Sequence, residues 1–322
     1  MPIHYKVTDT ERDHILLRCD SMNEMMTLAK SNWNKFQFWD GERDFLDRPG
    51  FTGRSDIGSW DKIDNAMKRP WDKGVDLINK MVQEILGAGI PKPKSRKRRP
   101  RWSEDVGDEV DYDRIRSGQA FWRESKRQIT TSAQTIVMVA DIGGSCGTDA
   151  DQLVWRGATM LAAAYLLEQA GYRCELWSCY YFLDIFRNSF EGTRDLVPIC
   201  RIKQASERID IGTIASGVSG WFYRTIMFGV TQCFVPCTGG LGKGGEKPSN
   251  WFPTEHIAGS GQPHLILDVW DLQAAVAVAR ELIAVVQDPK RDRVFVESGK
   301  RRPFYEWSGQ KWRQQLEATG KY

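Results

Sequence analysis

The stretch TIVMVADIGGSCGTDADQLVWRGATMLAAAYLLEQAGYRCELWSCYYF, residues 135–182, decides the fold. Thr135–Ala140 is short, apolar and partly β-branched, and it ends in Asp141-Ile142-Gly143-Gly144. That is the pattern of a strand buried on both faces of a sheet. Asp149–Ala170 reads as a helix, rich in Ala and Leu, with Asp149 and Asp151 where the amino-terminal dipole favours acid. Gly171 is placed to stop it. Cys174–Phe182 reads as a second strand. A strand, a long helix and a strand in this order predict a right-handed crossover between parallel neighbours.

Working outward, Leu196–Lys203 reads as a third strand. The short gap before it predicts a hairpin, and so an antiparallel edge. A helix is expected from about Ile211 to Val230, a buried strand at His264–Val269, an amphipathic helix at Leu272–Gln287, and a last strand at Arg293–Glu297. The fold class expected for residues 134–300 is α/β, a three-layer sandwich with a mostly parallel sheet. Residues 301–322 read as a surface-packed carboxyl-terminal extension. Residues 1–90 read as a separate tryptophan-rich region, mainly helical or irregular, with helices at Ser21–Ser31 and Gly74–Leu86.

Between them, residues 91–133 read as a charged linker. Pro91, Pro93 and Pro100 forbid a continuous helix. Seven of the ten residues from Lys92 to Arg101 are basic, and the acids Glu104, Asp105, Asp108, Glu109, Asp111 and Asp113 follow. A solvated linker that partly neutralises itself accounts for this pattern. So does a phosphate-contacting strip, with Lys94, Arg96, Lys97, Arg98 and Arg99 as candidate nucleic-acid contacts. No aromatic side chain interleaves the basic run, which argues against base stacking there.

The chain has 322 residues, 27% charged and 41% hydrophobic, the balance of a globular protein. A net charge of +3 does not by itself indicate a nucleic-acid binder. No apolar run approaches the ~20 residues that span a bilayer. The first residues, MPIHYKVTDTERDH, lack a secretory pattern, so a cytoplasmic location is expected. Seven cysteines, an odd number in mostly apolar settings, read as reduced core thiols. Thirteen tryptophans spread along the whole chain are read mostly as packing anchors.

In an open parallel sheet, ligands bind beyond the carboxyl ends of the strands. Asp141 and Ser145 stand at that point and offer the hard oxygens that Mg²⁺ or Mn²⁺ prefers. A glycine-rich turn whose Asp and Ser merely cap backbone donors is the alternative. VMVADIGGSCG, followed by the Ala-rich helix and GYRCELWSCYYF, resembles the opening of a von Willebrand factor A-like domain. The intracellular type, as in the cobalt-chelatase subunit that works beside an AAA+ ATPase, is the most similar. The resemblance covers about residues 134–297 and implies a divalent-metal site whose open position takes a carboxylate from a protein partner.

Under that resemblance Asp141 matches the motif's aspartate and Ser145 its second serine, while Gly143 stands where the first serine belongs. Thr213, beside Asp210, is the candidate from the second loop, and Asp268, with Asp271 as an alternative, from the third. Phe51–Ser55 (FTGRS), Trp60, Pro70-Trp71-Asp72-Lys73-Gly74 and Val110–Arg114 with Gly118 resemble proteins of bacteriophages and prophages that have no assigned activity.

Other motifs carry less. Lys243, in a loop with five glycines among residues 239–245, is followed by Gly244 rather than Ser or Thr, so the P-loop pattern fails. Cys233 and Cys237 have no second pair, and His256 and His264 match no zinc spacing. Cys146 has no motif-defined histidine partner for thiol catalysis. The expected function is therefore a non-enzymatic protein-binding or scaffold role with a degenerate metal site. The alternatives are phosphate contact through residues 92–101 and metal-dependent hydrolysis.

Overall fold

The computed structural model describes residues 3–8, 13–31, 52–57, 59–68, 71–93, 101–104, 109–124, 135–144, 148–180, 195–234, 257, 263–266, 269–288 and 295–296. Its centre is the expected crossover. Strand β6 (Thr135–Asp141) leads into α5 (Ala150–Gln169), and β7 (Arg173–Cys179) returns parallel to β6, with Asp141 opposite Cys179. Gly171 ends α5 with φ of 94°, a left-handed conformation that glycine adopts without strain.

Strand β8 (Asp195–Lys203) pairs antiparallel with β7, which is the expected hairpin. It is not an edge, however. Strands β1 (Ile3–Thr8) and β2 (Asp13–Cys19) extend the sheet beyond it, β2 lying parallel to β8. On the other side β9 (His264–Ile266) and β10 (Phe295–Val296) complete the order β1-β2-β8-β7-β6-β9-β10. The chain is thus α/β with a mostly parallel sheet. The region over residues 1–90 is mainly helical among its described residues, as expected, but the two strands it adds to the main sheet were not expected.

Helices α1 (Met22–Ser31), α2 (Trp60–Lys68) and α3 (Asp72–Gly87) come from that same region. After β8 follow α6 (Ile211–Gly217), a π-helical turn at Phe222–Met227 and α7 (Phe228–Phe234). The single helix expected over 211–230 is broken at Val218–Ser219. There Ser219 folds its hydroxyl back to donate to the carbonyl of Ser216 at 2.6 Å. Helix α8 (Leu272–Gln287) matches its expected span and is capped by Asp271, which accepts from Ala274 N.

Helix α5 lies against β6 and β7 and is flanked by α3, α6 and α8. It is buried around its circumference, including Leu153, Ala158, Ala162 and Leu167, which explains its nearly uniform apolar sequence. One face of the sheet contributes Leu17, Ile136, Met138, Ala140 and Leu176 to this helical core. Leu16, Val137, Val139, Trp177 and Ile199 form a second buried cluster with Ile257. Within the expected linker, β3 (Arg101–Ser103), β4 (Glu109–Val110) and β5 (Trp122–Glu124) make a small antiparallel sheet with a short helix, α4 (Tyr112–Arg116). The extension at 301–322 lies outside the described residues.

Candidate functional site

The carboxyl edge of β6 and β7 is built around one buried cation. Arg156, 2% exposed on the second turn of α5, donates Nη1 to the main-chain oxygens of Asp141 and Gly143. The same nitrogen lies 3.9 Å from Asp141 Oδ1. Its guanidinium also lies over the ring of Trp270, 4.1 Å from the centroid, so the loop before α8 is drawn into the arrangement. Asp141 turns the same Oδ1 to accept from Gly143 N at 2.9 Å.

Other side chains grip the loop that follows. The Tyr223 hydroxyl accepts from Gly144 N at 3.1 Å and donates to Gly144 O at 3.0 Å. Arg224 Nη2 donates to Thr148 O at 2.6 Å. Tyr223 is fixed in turn by edge contacts with Tyr180 and Phe228, at centroid distances of 4.9 and 4.7 Å. Side chains from α5 and the π-turn therefore hold one loop through its own backbone, as a preorganised surface requires.

The FTGRS motif reaches the same place. Gly53 has φ of 81°, and a Cβ on it would stand 3.1 Å from the Ala150 methyl at the head of α5. Arg54 is buried, pairs with Asp56 at 2.7 Å, and lies between the rings of Trp71 and Trp221 at 5.7 and 5.2 Å. The hydrogen bond from Arg54 holds the Asp56 carboxyl below its usual range. Several of the tryptophans are thus platforms for arginines. Arg18 and Arg201 lie over Trp177, and Arg114 lies over Trp102.

Of the expected metal ligands, the described Asp141 and Thr213 lie toward opposite edges of the sheet. Asp141 is at the carboxyl edge, level with Cys179 and Ile199. Because β8 runs antiparallel to β7, its end at Lys203 lies level with Leu176, toward the opposite edge. Thr213 follows from that end and lines a pocket of about 390 Å³ with Asp20, Met22, Met67, Arg201 and Lys203. There it donates to Asp210 Oδ2 at 2.6 Å, and Asp210 also accepts from Gly212 N. Thr213 is therefore a helix-start residue at the far edge, and its expected place beside Asp141 is corrected. Asp271 is used as the cap of α8.

Ser145, Asp268, Cys146 and the basic residues Lys94, Arg96, Lys97, Arg98 and Arg99 lie outside the described residues. Of the implied donor set, the described part is one carboxylate beside a guanidinium. An ion bound to Asp141 would stand a few ångström from that fixed positive charge, a repulsion of several kcal/mol in a partly buried site. The described residues at this edge do not by themselves fit a divalent cation. Among the described residues no group of three or more His, Cys, Asp or Glu is placed to hold one.

Four thiols are described, and all are buried. Burial pushes Cys19 up to about 12, and raises Cys174, Cys179 and Cys200 further. Thiols held neutral in this way are poor nucleophiles. Arg156 escaped the sequence reading, although one signal was present: it is the lone charge inside the apolar run Leu153–Ala164. Arg224 carries the same signal, as the lone charge within Trp221–Val230, whereas Tyr223 gives none, since only the tertiary fold brings it to residue 144.

Residues 5–263, most of the chain, match the family described as a domain of unknown function, DUF7192. No curated protein and no solved structure matches the chain.

Proposed function

We propose that this chain, which belongs to the DUF7192 family, is a protein-binding module that presents its carboxyl edge to a partner. The observation that carries this reading is the gripping of the backbone at Gly143, Gly144 and Thr148, just beneath the exposed Asp149, by Arg156, Tyr223 and Arg224. Restraint of that kind lowers the entropy lost on association, the usual advantage of a preformed recognition surface. Around the loop, Asp149, Asp151, Asp271 and Leu272 are exposed, and Asp141 keeps 20% of its side chain accessible. The edge is thus acidic with an apolar element, and it suits a partner surface carrying basic and apolar side chains.

The resemblance to A-like domains points the same way and suggests an AAA+ ATPase as the class of partner. The three-layer A-like architecture is likewise part of this proposal. It is supported by the central β6-α5-β7 crossover and the antiparallel β8 beside it. A fold hosts many functions, so the reading rests on the edge and not on the architecture.

Site-specific photo-crosslinking tests it. A benzophenone side chain is placed at Asp149, on the carboxyl edge, or at Arg173, exposed at the opposite end of β7, and the full chain is irradiated in lysate of its host cell. The reading expects a discrete protein adduct from position 149, absent from position 173 and reduced by Arg156→Met. Equal adducts from both positions, or none from 149, contradict it.

A further inference from the structure

We infer that Arg156 is the resident cation of the carboxyl edge, standing in for the divalent ion that the A-like resemblance implies. A cation at such a site neutralises the strand-end carboxylate. Arg156 lies 3.9 Å from Asp141 Oδ1, and it also donates to the carbonyls of Asp141 and Gly143. Its stacking on Trp270 ties in the loop after β9, from which a third ligand would otherwise come. The planar fork of a guanidinium reaches several oxygens at once.

The missing serine supports the replacement independently. At position 143 a Cβ would stand 3.0 Å from Asp141 Oδ1, closer than side-chain carbons normally approach an oxygen. The carboxylate takes the Gly143 amide hydrogen, and a serine there would need it to shift by a few tenths of an ångström. Position 144 is equally closed, since a Cβ there would meet Leu153 Cδ2 at 2.7 Å. Glycine at 143 and arginine at 156 are two parts of one rearrangement: the ligand is gone, and a fixed positive charge has taken the ion's role. The replacement rests on the A-like reading proposed above, but not on the recognition of a partner.

MnCl₂ and MgCl₂ are titrated calorimetrically into the EDTA-treated full chain and its Asp141→Ala variant, and amide exchange of residues 142–144 is followed in EDTA. The inference expects no Asp141-dependent metal binding up to millimolar concentration, and a thermal midpoint that shifts by no more than about 1 °C with metal. It expects protected loop amides in EDTA. In Arg156→Lys, which keeps the charge and loses the fork, exchange at Gly143 and Gly144 rises about tenfold or more. Saturable Mn²⁺ binding that disappears in Asp141→Ala would overturn the inference. So would loop amides that gain protection only when metal is added, or that stay equally protected in Arg156→Lys.

Discussion

Arg156 and Tyr223 hold adjacent residues of a single loop, Arg156 at the Gly143 carbonyl and Tyr223 at both polar groups of Gly144. They come from α5 and from the π-turn, so the loop is fixed by packing on two sides. Removing either anchor leaves buried polar groups without partners. Tyr223→Phe is expected to cost about 1–3 kcal/mol, the range for stranding a buried donor and acceptor. Arg156→Met is expected to cost about 3 kcal/mol, since it also leaves Asp141 without its cation. Denaturant unfolding of both variants checks the order, with Arg156→Met the less stable.

At Gly157 two effects compete. In a helix interior, Gly→Ala ordinarily gains about 1 kcal/mol. Here the added Cβ would stand 2.1 Å from Val218 Cγ2, where α6 ends against α5. The clash is with a packed, β-branched side chain that cannot swing away, and overpacking of this kind costs about 1–3 kcal/mol. Gly157→Ala should therefore lower the thermal midpoint, whereas the propensity term alone would raise it.

The buried thiols make stability depend on alkaline pH. Cys19 is pushed up from 9.0 to about 12, chiefly by burial and further by Glu24 and Asp20. Cys174, Cys179 and Cys200 are also raised by burial. Above pH 9 the unfolded chain loses these protons while the native state keeps them, so the native state binds more protons and stability falls as pH rises. The contribution is intact below pH 9 and declines from there toward the native values. Urea unfolding between pH 8 and 10.5 should show this decline. Iodoacetamide at pH 8 should label these four thiols only after unfolding.

How far the sequence was legible follows from the range of the interactions. Helix α8 and the β6-α5-β7 crossover were readable because their signals lie within the segments themselves: the apolar periodicity of α8, the acidic start of α5 and Gly171. β1 and β2 were not, because β2 is stabilised by pairing His14–Cys19 with Asp195–Cys200, far along the chain. Within residues 1–20 alone there is no hydrophobic run long enough to announce a strand. The candidate site was half legible. Asp141 is where strand-end logic put it, whereas Thr213 was misplaced because the direction of β8 decides which edge its following loop reaches.

That long-range pairing gives a prediction about the minimal folding unit. A chain starting at residue 134 would expose the β8 edge, left without β2, and the outer side of α5, left without α3. Unpaired edges and uncovered apolar helices promote association. The shortened chain is expected to elute as aggregate and to unfold without a cooperative transition. A monomeric, cooperatively unfolding fragment would show that residues 1–133 are dispensable for the fold.

The most direct test of a carboxyl edge that recognises its partner without a divalent ion is the crosslink from position 149, measured in EDTA and in magnesium. The account predicts one discrete adduct, of equal yield in the two conditions and weakened by Arg156→Met. An adduct that forms only in magnesium, or one indifferent to Arg156, would contradict it.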